Sequence, residues 1–195
     1  MSNMARPPKR GVFILECRDQ KDPGSEGRFL AHMFRLMAVP HQHIDVQTKE
    51  QFMAMLSRSP YELIHIATHG SVAKGPKGER FVGLWFPDGT VDVAALQNLK
   101  GVLRDHSVII TACLSGQREF AKALITKGYC KYVVAPTGSP KFHNSIFFSH
   151  ILYHQYFILR RSLSEILKRY DSKYKNPHQF AAIPLSRYGL HFVRD

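Results

Sequence analysis

Cysteine is scarce in this sequence. Cys17, Cys113 and Cys130 are the only three in 195 residues. An odd, sparse count does not build a disulfide framework, and a reducing cytosol is the expected setting. Acidic residues are also few: 15 Asp and Glu against 27 Lys and Arg, for a formal net charge of +12. No carboxylate cluster sits at the end of an apolar run, which argues against a metal-dependent nuclease. Long hydrophobic runs are missing too. The most apolar stretch, SIFFSHILYHQYFIL, carries two His, one Gln and two Ser. It falls short of the roughly 20 apolar residues a membrane span needs, and a buried or amphipathic helix is expected there. The start, MSNMARPPKR, is polar and basic, with no apolar core and cleavage site after it. No secretory signal is expected, and a cytoplasmic location is.

The positive charge is spread rather than blocked. Part lies in Arg6, Lys9 and Arg10, and part in RRSLSEILKRYDSKYK, where six Lys and Arg face two acids. No zinc-finger spacing, arginine-rich block or glycine-aromatic motif accompanies it. The charge allows a nucleic-acid partner without requiring one, and it suits an acidic protein partner.

Short apolar runs do recur. GVFILEC (11–17), HIDVQ, YELIHIAT, SVIITAC and KYVVAP read as five strands, and most are too uniformly apolar to be half-exposed. Helical segments alternate with them. Ser25 is placed to cap a helix ending before Pro40, and Thr48 to cap KEQFMAMLSR. Asp92 opens a helix through VAALQNLKGVL. Gln117 to Lys127 is helical, with Gly128 as its C-cap. A long helix is expected from about Asn144 to Leu159, and Ser162 caps another. SVAKGPKGER and PTGSPKFHN read as exposed loops. FVGLWFPDGTVDV reads as two strands around Pro87-Asp88-Gly89, and RYGLHFVR near the end as an edge strand. Alternating strands and helices predict an α/β fold: a mostly parallel sheet with helices on both faces, in one domain over residues 11–195 after a flexible basic stretch at 1–10.

Two of the runs end in a reactive side chain followed by small residues: His69-Gly70 after YELIHIAT, and Cys113 followed by Leu114-Ser115-Gly116 after SVIITA. In an open parallel sheet, functional groups gather at the carboxyl ends of strands. With right-handed crossovers those two ends lie on one rim, about 5 Å apart if the strands are neighbours. A thiolate is a strong nucleophile, and a nearby imidazole can lower its pKa and later protonate a leaving amine. The N–H groups of Gly70 and Cys113 are candidates to hold an oxyanion. A helix starting at Ser115-Gly116 would favour the thiolate further. The plainer alternative is a structural role: most strand-end cysteines are core, and most histidines in apolar runs, His65 among them, are structural. Zinc held by His65 and His69 is conceivable on geometry, but no third ligand is evident.

The ordered set IHIATHG, GLWFPDGTVDVAALQNL, VIITACLSG and KGYCKYVVAP resembles the CHAT domain, a branch of the caspase-like cysteine peptidases. The likeness covers about residues 61–170, and residues 11–60 suit the first two strands. It implies a caspase-like three-layer sandwich with a small β-hairpin insertion, His69 as the catalytic histidine and Cys113 as the nucleophile. It implies no cofactor or metal, a protein substrate, and a regulatory protein partner, as in effectors of bacterial defence. The pocket for the residue before the scissile bond would be lined by Arg18-Asp19, Thr111 and the segment from Pro136 to Lys141, with Ser139 included. Thr111 stands where the family pattern has Ser. The charges of Arg18, Asp19 and Lys141 are mixed, so the sequence names no cleavage preference. Two alternatives remain: a catalytically silent interaction module of the same fold, and a basic nucleic-acid-binding protein.

Overall fold

The computed structural model describes residues 8–76, 78–174 and 180–184. In chain order the elements are β1 (Lys9–Glu16), α1 (Glu26–Leu36), β2 (His41–Asp45), α2 (Lys49–Leu56), β3 (Tyr61–Ala67), β4 (Gly70–Gly75), β5 (Gly78–Phe86) and β6 (Gly89–Asp92). Then come α3 (Val93–Leu96), β7 (Ser107–Ile110), α4 (Arg118–Gly128), β8 (Tyr132–Pro136), α5 (Phe142–Tyr153), α6 (Leu163–Tyr174) and β9 (Phe180–Pro184).

Five strands run parallel in the order β2-β1-β3-β7-β8, and β9 closes the edge antiparallel to β8. Alternate residues on the central strands serve opposite faces, as the period of two requires. Phe13, Leu15, Ile64 and Ile66 pack with Phe52 and Leu56 of α2 and with Phe120 and Leu124 of α4. Val12, Ile14 and Leu63 pack with Leu30 and Phe34 of α1, Phe148 and Leu152 of α5, and Ile166 of α6. Helices thus cover both faces, which is why the central strands are continuous apolar runs. The expected three-layer α/β sandwich is the one observed. Among the described residues no helix is long and apolar enough to cross a membrane.

The expected caps at Ser25 and Thr48 form: Ser25 Oγ accepts from Arg28 N–H and Thr48 Oγ1 from Gln51 N–H. Ser162 and Glu165 exchange hydrogen bonds as a capping box at α6. The long apolar helix is α5 continued by a π-helical turn over His154–Ile158.

Several expectations need correction. SVAKGPKGER is not a loop: it forms β4 and the start of β5, so the insertion is a three-stranded antiparallel sheet, β4-β5-β6. Glycine and lysine hid the pairing because β4 and the first three residues of β5 have no buried position and need no apolar alternation. The helix after Asp92 lasts only to Leu96, then tightens into a 3₁₀ turn ended by Lys100 in the left-handed region. Gly128 is the last residue of α4, and Tyr129 takes the left-handed position with φ 60°. A Cβ at Gly128 would come within 2.8 Å of Leu103, so that glycine serves close packing. β1 begins at Lys9, two residues before the expected start. RYGLHFVR and residues 1–7 of the basic N-terminal stretch lie outside the described residues.

Candidate active site

β3 and β7 are neighbours, with Ile66 opposite Ile110. His69 follows the end of β3 and Cys113 follows the end of β7, so both strands deliver them to one rim. The two side chains line a single cleft of about 260 Å³ together with Glu16, Cys17, Arg18, Asp22, Glu26, Thr111 and Pro140. The backbones behind them touch. A Cβ at Gly70 would collide with the carbonyl oxygen of Cys113, so only glycine lets the two rim segments approach this closely.

The Cys113 turn is tightly built. Leu114 sits at φ 59°, a left-handed conformation uncommon for a leucine. Its N–H donates to Gly138 O at 2.8 Å, and Gly116 N–H donates to Pro136 O at 2.8 Å. A Cβ at Gly116 would lie 2.8 Å from Ala135 O. This turn aims Cys113 away from the sheet into the cleft. The helix that follows begins at Arg118, not at Ser115-Gly116, so its N-terminus is five residues from the sulfur and supplies no adjacent dipole.

His69 is half-exposed, and its Nε2 lies 2.7 Å from Asp22 Oδ1. That contact assigns the Nε2 proton to the carboxylate and leaves Nδ1 as the basic nitrogen. Asp22 is itself held, accepting from Asp19 N–H at 2.8 Å. Trp85 meets the imidazole edge-on at 6.0 Å, and its backbone N–H donates to His69 O at 2.9 Å. The antiparallel sheet therefore buttresses the histidine.

Cys113 is half-buried. Its sulfur lies 4.0 Å from Pro140 O, as a thiol donor would. Burial pushes its pKa up from the ordinary value and the charge of Glu79 adds to this, while a hydrogen bond with Ser139 pulls the other way. The lowered pKa expected from an adjacent imidazole is not what this conformation gives. Burial favours the protonated thiol here, and His69 is engaged by Asp22.

Arg18 lines the cleft from an exposed position, and Thr111 lines it from a buried one. Thr111 Oγ1 donates to Glu26 Oε2 at 2.9 Å, which accounts for a hydroxyl at this position. Asp19 is outside the lining; its carboxylate accepts from Lys21 N–H at 2.9 Å within its own loop. Ser139 is exposed beside Cys113. His65 and His69 do not converge on a metal. His65 is fully buried, with Nδ1 2.7 Å from Tyr153 Oη and Nε2 3.2 Å from Glu26 Oε1.

Sequence reasoning missed Asp22, Glu16 and Glu26. Asp22 precedes Pro23 in a stretch that reads as a turn, so its residue type already had a sufficient local explanation. Glu16 ends an apolar strand, and a carboxylate in such a place is a signal that could have been weighed.

Residues 20–134 match the CHAT domain family. Among solved structures the chain is similar to pro-sf-caspase-1, at 12% sequence identity and a TM-score of 0.54, covering 94% of this chain and 90% of that one. That likeness establishes the caspase-like fold. A search among curated proteins found no match.

Proposed function

The chain belongs to the CHAT domain family, and on that premise we propose that it is a cysteine endopeptidase in which Cys113 is the nucleophile and His69 the acid–base partner. The observation that carries this reading is the convergence of the two residues, from separate strands, on one cleft with their backbones in contact. In the reaction, the Cys113 thiol gives its proton to His69 Nδ1 and the sulfur attacks the scissile carbonyl. The N–H groups of Gly70 and Cys113 receive the oxyanion. As the tetrahedral intermediate collapses, His69 passes the proton to the leaving amine. Water, deprotonated by His69, then hydrolyses the thioester and restores the thiol. Asp22 keeps the imidazole in the tautomer that leaves Nδ1 free, and so acts as a positioning residue.

A regulatory protein partner is part of the proposal. In the described conformation burial favours Cys113 as a thiol, which suits a resting enzyme. Ordering of the rim by a partner needs only a few kcal/mol to shift such an equilibrium. The charge of +12 suits an acidic partner approached electrostatically. The cytoplasmic setting rests on the sparse cysteines, and a role as an effector of bacterial defence on the family resemblance. The test is cleavage of candidate protein substrates by the wild type and Cys113→Ala, each with and without the product of the neighbouring gene. Partner-dependent cleavage by the wild type alone is expected. Cleavage by both proteins would refute the assignment.

A further inference from the structure

The cleft beside Cys113 has a sign of charge that the sequence did not reveal. Of the three charged residues that left its sign undecided, Asp19 and Lys141 are not in the lining. Three carboxylates are, Glu16, Asp22 and Glu26, against one cation, Arg18. Each carboxylate has an imidazole partner: His69 on Asp22, His43 on Glu16 and His65 on Glu26. Glu16 and Glu26 are 2% and 5% exposed, whereas Arg18 reaches into solvent. Charges on a buried wall act through a lower dielectric than a charge in water does, so the acids outweigh Arg18 inside. The sign is local, since the chain as a whole carries +12.

We propose that this cleft receives a lysine or arginine side chain, so that the enzyme cuts after basic residues. The inference rests on the peptidase reading above, because only then does a side chain beside the scissile bond enter a cleft that contains Cys113 and His69.

The dimensions agree. At about 260 Å³ the cleft is smaller than the roughly 300–1,000 Å³ of pockets for drug-sized ligands, and it suits one side chain. Both carboxylates retain acceptor capacity. Glu16 accepts from Ser25 Oγ, Gly27 N–H and His43, and Glu26 from His65, Thr111 and Ser149. Each carboxylate offers about four acceptor sites, so one stays open on each for a guanidinium or ammonium. Glu16 also stays charged at neutral pH. Burial works to raise its pKa, but the hydrogen bonds from His43, Ser25 and Gly27 outweigh that and hold it below the usual value. An aspartate or glutamate side chain here would bring a third carboxylate against the two on the buried wall. An apolar one would bury the carboxylates without pairing them.

The experiment uses peptidyl acyloxymethyl ketones that are identical except for Arg, Asp or norleucine at the last position, reacted with the full chain and read by mass mapping. The Arg probe is expected to label Cys113 about 10- to 100-fold faster than either other, the range for one charge-assisted hydrogen bond. Glu26→Gln is expected to erase most of that preference, read as the ratio of the Arg to the norleucine rate within the variant. Arg18→Ala, at an exposed rim position, is expected to enhance it, and serves if Glu26→Gln fails to fold. Equal labelling by the three probes, or a preference for Asp, overturns the inference and leaves the peptidase reading standing. Labelling of no cysteine by any probe, with the product of the neighbouring gene present as well as without it, overturns both. Protection of Cys113 from iodoacetamide by the corresponding peptide amides gives a second readout that requires no catalysis: protection by the Arg amide alone supports the pocket, and equal protection by all three contradicts it.

Discussion

The interior of β3 and its carboxyl end each carry a histidine, four residues apart, and the two are built for different ends. His65, inside the strand, is fully buried and bonded through both ring nitrogens, to Tyr153 and to Glu26. His69, past the end, is half-exposed with one nitrogen engaged by Asp22. Cysteines divide the same way. Cys17 lies in the core at 3% exposure with its pKa pushed up to about 11 by burial, while Cys113 stands on a constrained turn at the mouth. Residues saturated with partners hold a structure together. Those left one valence short, on a rigid rim, are free to take part in chemistry.

The sharpest way to break this comparison is to delete one sulfur from each place. Cys113→Ala is expected to abolish cleavage and leave the fold intact, because it removes one atom from a rim. Cys17→Ala is expected to leave cleavage standing. The reverse pattern in a peptide-cleavage assay would invert the assignment of core and rim.

The histidines come next. His69→Ala is expected to lower kcat/KM by about 10² to 10⁴, the range for loss of a general acid–base, with thermal stability unchanged. His65→Ala should instead cost about 1–3 kcal/mol of stability by taking the partner from the Tyr153 hydroxyl and one of three donors from Glu26. Its turnover per folded molecule should change little. Urea unfolding and kinetics on both variants separate the two outcomes.

Two further changes probe what holds the rim. Gly70→Ala must push the Cys113 carbonyl aside, and a displacement of about 1 Å can cost about 10² in rate. Asp22→Asn keeps the shape but weakens the hold on His69, for an expected loss of about 10- to 100-fold. A purely structural Asp22 would leave the pH profile of kcat/KM in place, whereas a positioning residue moves the limb that belongs to His69.

The smallest effect concerns pH. Burial raises the Cys113 pKa above its ordinary value of 9.0 in the free protein. Alkylation by iodoacetamide should therefore rise with pH and reach its half-maximum above pH 9. A half-maximum near neutrality would mean that the thiolate–imidazolium pair already exists without a partner.

Much of this was legible in the sequence. Buried parallel strands leave continuous apolar runs, so the core strands, their order of layers and the positions of His69 and Cys113 at their ends could be read. Features that depend on long-range fit could not. Asp22 and His69 are 47 residues apart, and their pairing exists only once the loop after β1 folds over the rim. Glu16 and Glu26 define the cleft through a network that ties β1, α1, β2, β3 and α5 together. β4 and the exposed start of β5 hide their pairing behind glycine and lysine because solvent on their surfaces demands no pattern. Leu114 gives no sign in its own residue type that its backbone is left-handed.

The central claim is that the rim cysteine, and not the core cysteine beside it, is the nucleophile. The most direct measurement is reaction of the purified chain with a peptidyl acyloxymethyl ketone, followed by digestion and mass mapping of the modified residue. The account expects the label on Cys113 alone, and its disappearance in both Cys113→Ala and His69→Ala. A label on Cys17, or undiminished labelling of Cys113 in His69→Ala, would contradict it.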